Sequence, residues 1–152
     1  MKVKTKAAGT VDVDDSQIIE FPQGLFGFEE YHGFAVIESE FPPFWWIQSL
    51  DESTLAFAAI DPFVIVPDYE IEIDDATLSS IGVSSPCDVV VFSIVTIPDD
   101  GRPVTANLQG PVVINKKNRK ALQVILGDSK WSIKHNIIDS SSSGASKGTQ
   151  QC

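Results

Sequence analysis

DVVVFSIVTI, residues 88–97, is the stretch on which the fold turns. Successive side chains of a strand alternate, so Val89, Val91 and Val95 fall on one side and Val90, Phe92 and Ile94 on the other. With apolar groups on both sides, the stretch reads as the longest strand of the protein, buried on both faces.

Working outward, the same period of two recurs in shorter pieces. Upstream, residues 55–60 read as the return strand of a hairpin begun by the aromatic-rich 44–50, with Asp51-Glu52-Ser53 as connector. Residues 34–37, 17–21, 10–14 and 3–7 are further extended segments, and 28–31 makes one turn of helix between the breaks at Pro22, Gly24 and Gly27. Residues 63–66 are extended or irregular and end at Pro67, which cannot donate to a ladder. One helix stands out, over 75–81, with Asp74 placed to cap it and Gly82 placed to end it. Downstream, Pro98-Asp99-Asp100-Gly101 is a turn, followed by strands at 104–108, 111–115, 121–126 and 131–134. Many short strands with one brief helix predict an all-β protein, an antiparallel β-barrel-like domain with a short accessory helix.

A length of 152 residues with 43% hydrophobic content suits one domain over 1–138, with a serine-rich 139–152 that has nothing to bury and is expected to be disordered. No apolar run approaches the roughly 20 residues of a membrane-spanning helix, and MKVKTKAAGTVDVDD does not read as a secretory signal. The expectation is a cytoplasmic protein, not membrane-bound. The two cysteines agree: Cys87 beside an apolar strand reads as packing, and Cys152 ends the polar tail.

The net charge of −10 is segregated. No Lys or Arg occurs from residue 7 to residue 101, where most of the carboxylates lie, whereas basic residues gather at Lys2, Lys4 and Lys6 and again from Arg102 to Lys134. Such a field repels nucleic acid, so no direct nucleic-acid binding is expected, and it favours cationic protein partners.

Catalytic groups are sparse. There is no G-x-S-x-G elbow and no phosphate-cradling P-loop, and of the two histidines His135 reads as a solvated surface residue. Glu29 and His32 share a spacing that suits a metal pair on a helix, but no third ligand accompanies them. We expect no enzyme, no cofactor and no metal. The stretch PDYEIEID, residues 67–74, is more telling: Asp68, Glu70, Glu72 and Asp74 line one face of an extended chain while Tyr69, Ile71 and Ile73 line the other. Such a row is either a solvated, aggregation-resistant edge or a docking surface for a basic partner. In the run FPPFWW, residues 41–46, alternation sends Phe44 and Trp46 to one face and Trp45 and Ile47 to the other, chiefly as core with some aromatic surface left for contact. The basic run 116–120 reads as a solvated hairpin tip.

Three segments in order, FPQGLFGFEEY, PFWWIQSLDESTLAFAAIDPFVIVPDYEIEI and VTANLQGPVVINKKNRKALQVIL, resemble the flagellar assembly factor FliW family over residues 3–138. Two positions depart from the family's pattern: Phe26 stands where GLPGF is usual, and Gly110 replaces a frequent alanine before the proline. The resemblance implies a non-enzymatic, monomeric barrel. It would bind newly made flagellin in a chaperone-like way and antagonise the RNA-binding translational regulator CsrA, coupling flagellin level to translation of its message. Under this reading Asp68, Glu70 and Glu72 attract the regulator. Phe28, Phe44 and Ile47 form an apolar groove for an amphipathic flagellin helix, with Gln48 and Asn107 as polar anchors. The rival is a small-ligand or carbohydrate-binding barrel that uses the tryptophans as stacking platforms.

Overall fold

The structure is a computed structural model that describes residues 1–98, 100, 102–127 and 130–137. Its strands are β1 (Lys2–Thr5), β2 (Gly9–Asp12), β3 (Ile18–Glu20), β4 (Gly33–Glu38), β5 (Trp45–Ser49) and β6 (Ala56–Ile60), then β7 (Val89–Thr96), β8 (Thr105–Ala106), β9 (Val112–Asn115), β10 (Ala121–Gln123) and β11 (His135–Asn136). Two short helices, α1 (Pro62–Ile65) and α2 (Asp75–Ser80), lie between β6 and β7.

β7 organises the sheet. One edge of it is shared, with Val89 to Phe92 pairing β9 and Val95 and Thr96 pairing β8, while Ser93 to Val95 pair β6 on the other edge. The ladder runs β10-β9-β7-β6-β5-β4-β3, with every named strand pair antiparallel, and β11 extends the sheet beyond β8. Val91, Phe92, Ser93 and Val95 are all buried, as expected for a two-sided strand. β5 divides its aromatics as alternation requires: Trp45 and Ile47 serve the cluster containing Phe34 and Phe92, whereas Phe44 and Trp46 serve that of Ile60 and Val95.

The all-β, antiparallel reading holds, but the sheet does not close into a barrel. It curls until its two end strands touch at one point, an isolated parallel bridge between Glu20 and Lys120 in which Glu20 N–H donates to the Arg119 carbonyl at 3.0 Å. Beyond that point β3 turns away, because Gly24 takes φ +73° and brings its backbone against Glu29, and the edge of β10 is left open. The hairpin β1–β2 is a separate ribbon, packed on Ala35 through Val3 and Val13.

Several local expectations are corrected. Residues 63–66 are not extended: Asp61 accepts the Phe63 N–H at 2.9 Å and Pro62 opens the turn, so α1 forms and the accessory helices are two. Residues 28–31 make turns rather than helix, and the expected strand at 131–134 is displaced to β11. His135 is half-buried in β11, with a buried Nε2 that finds no hydrogen-bond partner, rather than solvated. α2 matches its reading closely, since Asp74 accepts the Thr77 N–H at 2.7 Å and Gly82 follows at φ +77°. The basic run is a β9–β10 turn with all of residues 116–120 exposed. Asp99 and Gly101 of the expected turn, and the whole of 139–152 with Cys152, lie outside the described residues.

Candidate functional site

After α1, residues 67 and 68 make a turn, closed by the Tyr69 N–H on the Val66 carbonyl at 3.0 Å, and residues 69–74 belong to no strand. Side-chain anchors hold the segment instead. Tyr69 is 3% exposed and its hydroxyl donates to the Leu108 carbonyl at 2.5 Å, while its ring meets Phe63 and Trp131 edge-on at 5.6 and 4.8 Å. Burial pushes the phenol pKa well above its ordinary value, so the hydroxyl stays a donor. Ile71 adds to the same cluster. The inward residues therefore fix the outward ones, and Asp68, Glu70, Glu72 and Asp74 are all exposed.

Ion pairs among the described residues are Met1–Asp12, Arg102–Asp100 and Lys117–Asp88, none of which neutralises this row. Asp74 is engaged locally: hydrogen bonds from the Thr77 hydroxyl and N–H hold its carboxyl below the usual range. Beside the row lies an open groove of about 510 Å³. Glu72, Ile73 and Asp74, with Thr77 and Ser80 of α2, form one wall, and residues 122–125 form the other. Leu122 and Ile125 supply apolar surface, and Ile125 is 59% exposed.

Asp68, Glu70 and Glu72 are thus all exposed, and Glu72 lines the groove. The other expected contact residues do not share a groove. Phe28 is 37% exposed and meets Phe57 edge-on at 5.1 Å, on the side of β5 that holds Ile47, while Phe44 is half-buried on the opposite side. Ile47 and Gln48 are interior, at 0% and 1% exposure. Gln48 Nε2 donates to the Ser49, Ser53 and Leu55 carbonyls, each at 3.1 Å, and its Oε1 accepts the Lys6 N–H at 2.8 Å, so it ties the first ribbon to the β5–β6 hairpin. Asn107 is half-buried and accepts the Gln109 and Gly110 N–H groups at 3.0 and 2.9 Å, which shapes the turn before β9. Sequence reasoning missed the β10 wall of the groove. The alternation of residues 121–126 marked a strand, but nothing in it marked an edge.

The family described as FliW protein matches residues 2–137. The chain belongs to the FliW family. A flagellar assembly factor FliW of Treponema denticola is 55% identical over 138 residues, covering 91% of this chain and 94% of its own length. One from Treponema pallidum is 54% identical with 91% and 92% covered, and one from Leptospira biflexa is 48% identical with 91% and 92% covered. A crystal structure of the flagellar assembly factor FliW superposes with a TM-score of 0.82 at 36% identity, over 90% of this chain and 96% of that one.

The two positions singled out in the sequence, Phe26 and Gly110, are both joined to Gln123 at the end of β10. Phe26 is 57% exposed and its N–H donates to Gln123 Oε1 at 3.3 Å, a bond that proline could not make. Gly110 accepts Gln123 Nε2 at 3.0 Å, and a Cβ there would stand 3.1 Å from Asn107 Nδ2. Gln123 thereby fastens the 24–27 loop to the turn before β9.

Proposed function

We propose that this FliW-family chain is a cytoplasmic, non-enzymatic factor that binds flagellin and, through its acidic face, the translational regulator CsrA, so that flagellin level governs translation of its own message. One observation carries the reading: a row of exposed carboxylates at alternate positions, held in place by Tyr69 and lacking any cationic partner among the described residues. A protein that grips RNA offers a basic surface, and an uncompensated acidic row speeds its approach. For flagellin, Phe28 is the residue of the expected groove that is left exposed for contact, while Ile47 and Gln48 are buried beneath the surface.

The test is the association of purified CsrA with the chain and with the Glu70→Lys, Glu72→Lys double variant. The reading expects the double variant to associate more slowly at low salt, with the difference shrinking as salt rises and the fold unchanged. Equal association rates at low salt would refute the acidic docking site.

A further inference from the structure

The groove beside the acidic row is bounded by an unfinished sheet edge. Val124 and Leu126 turn their N–H groups toward the sheet, donating to the Pro111 and Gln109 carbonyls at 2.9 and 2.8 Å. Backbone groups of a strand alternate in direction, so the intervening Gln123 and Ile125 turn theirs away from β9 and into the groove. Four residues before Gln123, on that same outward side, the Arg119 carbonyl is already occupied by Glu20 N–H. β3 therefore begins to complete this edge and then leaves it. Ile125, just past the end of β10, has no hydrogen-bond partner for its N–H or C=O among the described residues, and no proline or lysine lies between residues 121 and 126. The facing wall carries Glu72 and, next to it along the row, Glu70, both exposed and without an ion pair among the described residues.

We propose that an extended, cationic segment of a partner protein enters this groove and adds to the β10 edge as a further strand. Its backbone would bond Gln123 and Ile125, an apolar side chain on one face would lie on Leu122 and one on the other face on Ile125, and a Lys or Arg would meet Glu72. Backbone pairing supplies affinity in such strand addition, and the side chains on the two walls supply selectivity. The inference rests on the reading of the acidic row as a docking surface, and adds to it the conformation of what docks.

The test uses the full chain and a capped heptapeptide of alternating lysine and valine. Expected is saturable binding that shifts the amide signals and slows exchange at Gln123 and Ile125. Ile125→Pro deletes the outward donor while leaving the Val124 and Leu126 bonds to β9 intact, and is expected to weaken binding about tenfold. A second arm leaves the protein untouched: the same peptide N-methylated at alternate amides should lose binding to a similar degree. If Glu72→Lys weakens the peptide but Ile125→Pro and N-methylation do not, strand addition is overturned and the acidic docking surface stands. Indifference to all three overturns strand addition and the pairing of the segment with Glu72. Absence of saturable binding at these amides overturns strand addition alone, because the acidic row is judged separately by the CsrA association rates.

Discussion

Replacing Tyr69 by phenylalanine removes one oxygen from the protein, yet it tests how the acidic row is held. Residues 67–74 have no ladder hydrogen bonds, so their position depends on inward side chains, and the Tyr69 hydroxyl is the polar anchor among them. Its acceptor, the Leu108 carbonyl, belongs to a residue of 0% exposure and receives no other hydrogen bond among the described residues. Removing the donor leaves that carbonyl buried and unsatisfied, at about 1–3 kcal/mol. Tyr69→Ala also forfeits the ring contacts with Phe63 and Trp131, and should cost about 3–5 kcal/mol, as for other buried aromatics cut to alanine. Urea unfolding followed by tryptophan fluorescence measures both, with the phenylalanine variant expected to shift the midpoint at an unchanged slope. Because the row is positioned from within, Tyr69→Phe should also slow CsrA association without altering any charge. A phenylalanine variant with wild-type stability and wild-type association would refute the claim that this hydroxyl organises the site.

Further outcomes follow from single residues. Asp61 is half-buried and desolvation raises its pKa, opposed by the Phe63 N–H; a raised carboxyl pKa in the folded state weakens folding once the group ionises. Asp61→Asn keeps a cap acceptor without the charge, so it should gain stability relative to the native chain at neutral pH, with the gain shrinking as pH falls through the raised pKa. Asp74 has the opposite sign: its lowered pKa means that its support of α2 is present above the ordinary carboxylate pKa and is lost as pH falls through the lower, folded-state value, which helical amide exchange in acid would reveal. Gly24→Ala would place a Cβ 2.4 Å from Glu29 Cα at a φ of +73°, and thermal unfolding should show a loss of several kcal/mol, about what a strained backbone and an overpacked contact cost together. A melting temperature close to that of the native chain would show that the 24–29 turn can relax.

What could be read from the residues was what depends on local period. The two faces of 88–97, the division of Phe44 and Trp46 from Trp45 and Ile47, and the inward Tyr69 against outward Asp68 and Glu70 all follow from alternation, which survives whether or not a strand is paired. Pairing itself was not legible. The stretch 67–74 has the alternation of a strand and no neighbour, while β10 has a neighbour on one side only, and both facts arise from where distant segments settle. α1 was misread because Phe63, Val64 and Ile65 favour extended structure, and the capping signal of Asp61-Pro62 outweighed them. Gln48 sits on an apolar strand like a surface anchor, but its partners come from residues 6, 49, 53 and 55, which only the fold assembles. The expected flagellin groove combined Phe44 with Ile47, which alternation alone already places on opposite faces of β5, so the two could not line one surface.

Amide hydrogen exchange of the full chain, with and without saturating CsrA, tests the central claim most directly. Slowed exchange confined to residues 68–74 and 122–125 is what an acidic row and an open edge acting as one docking surface require. Protection that falls elsewhere, on the β1–β2 ribbon or the 26–28 turn, with these two segments unchanged, would contradict it.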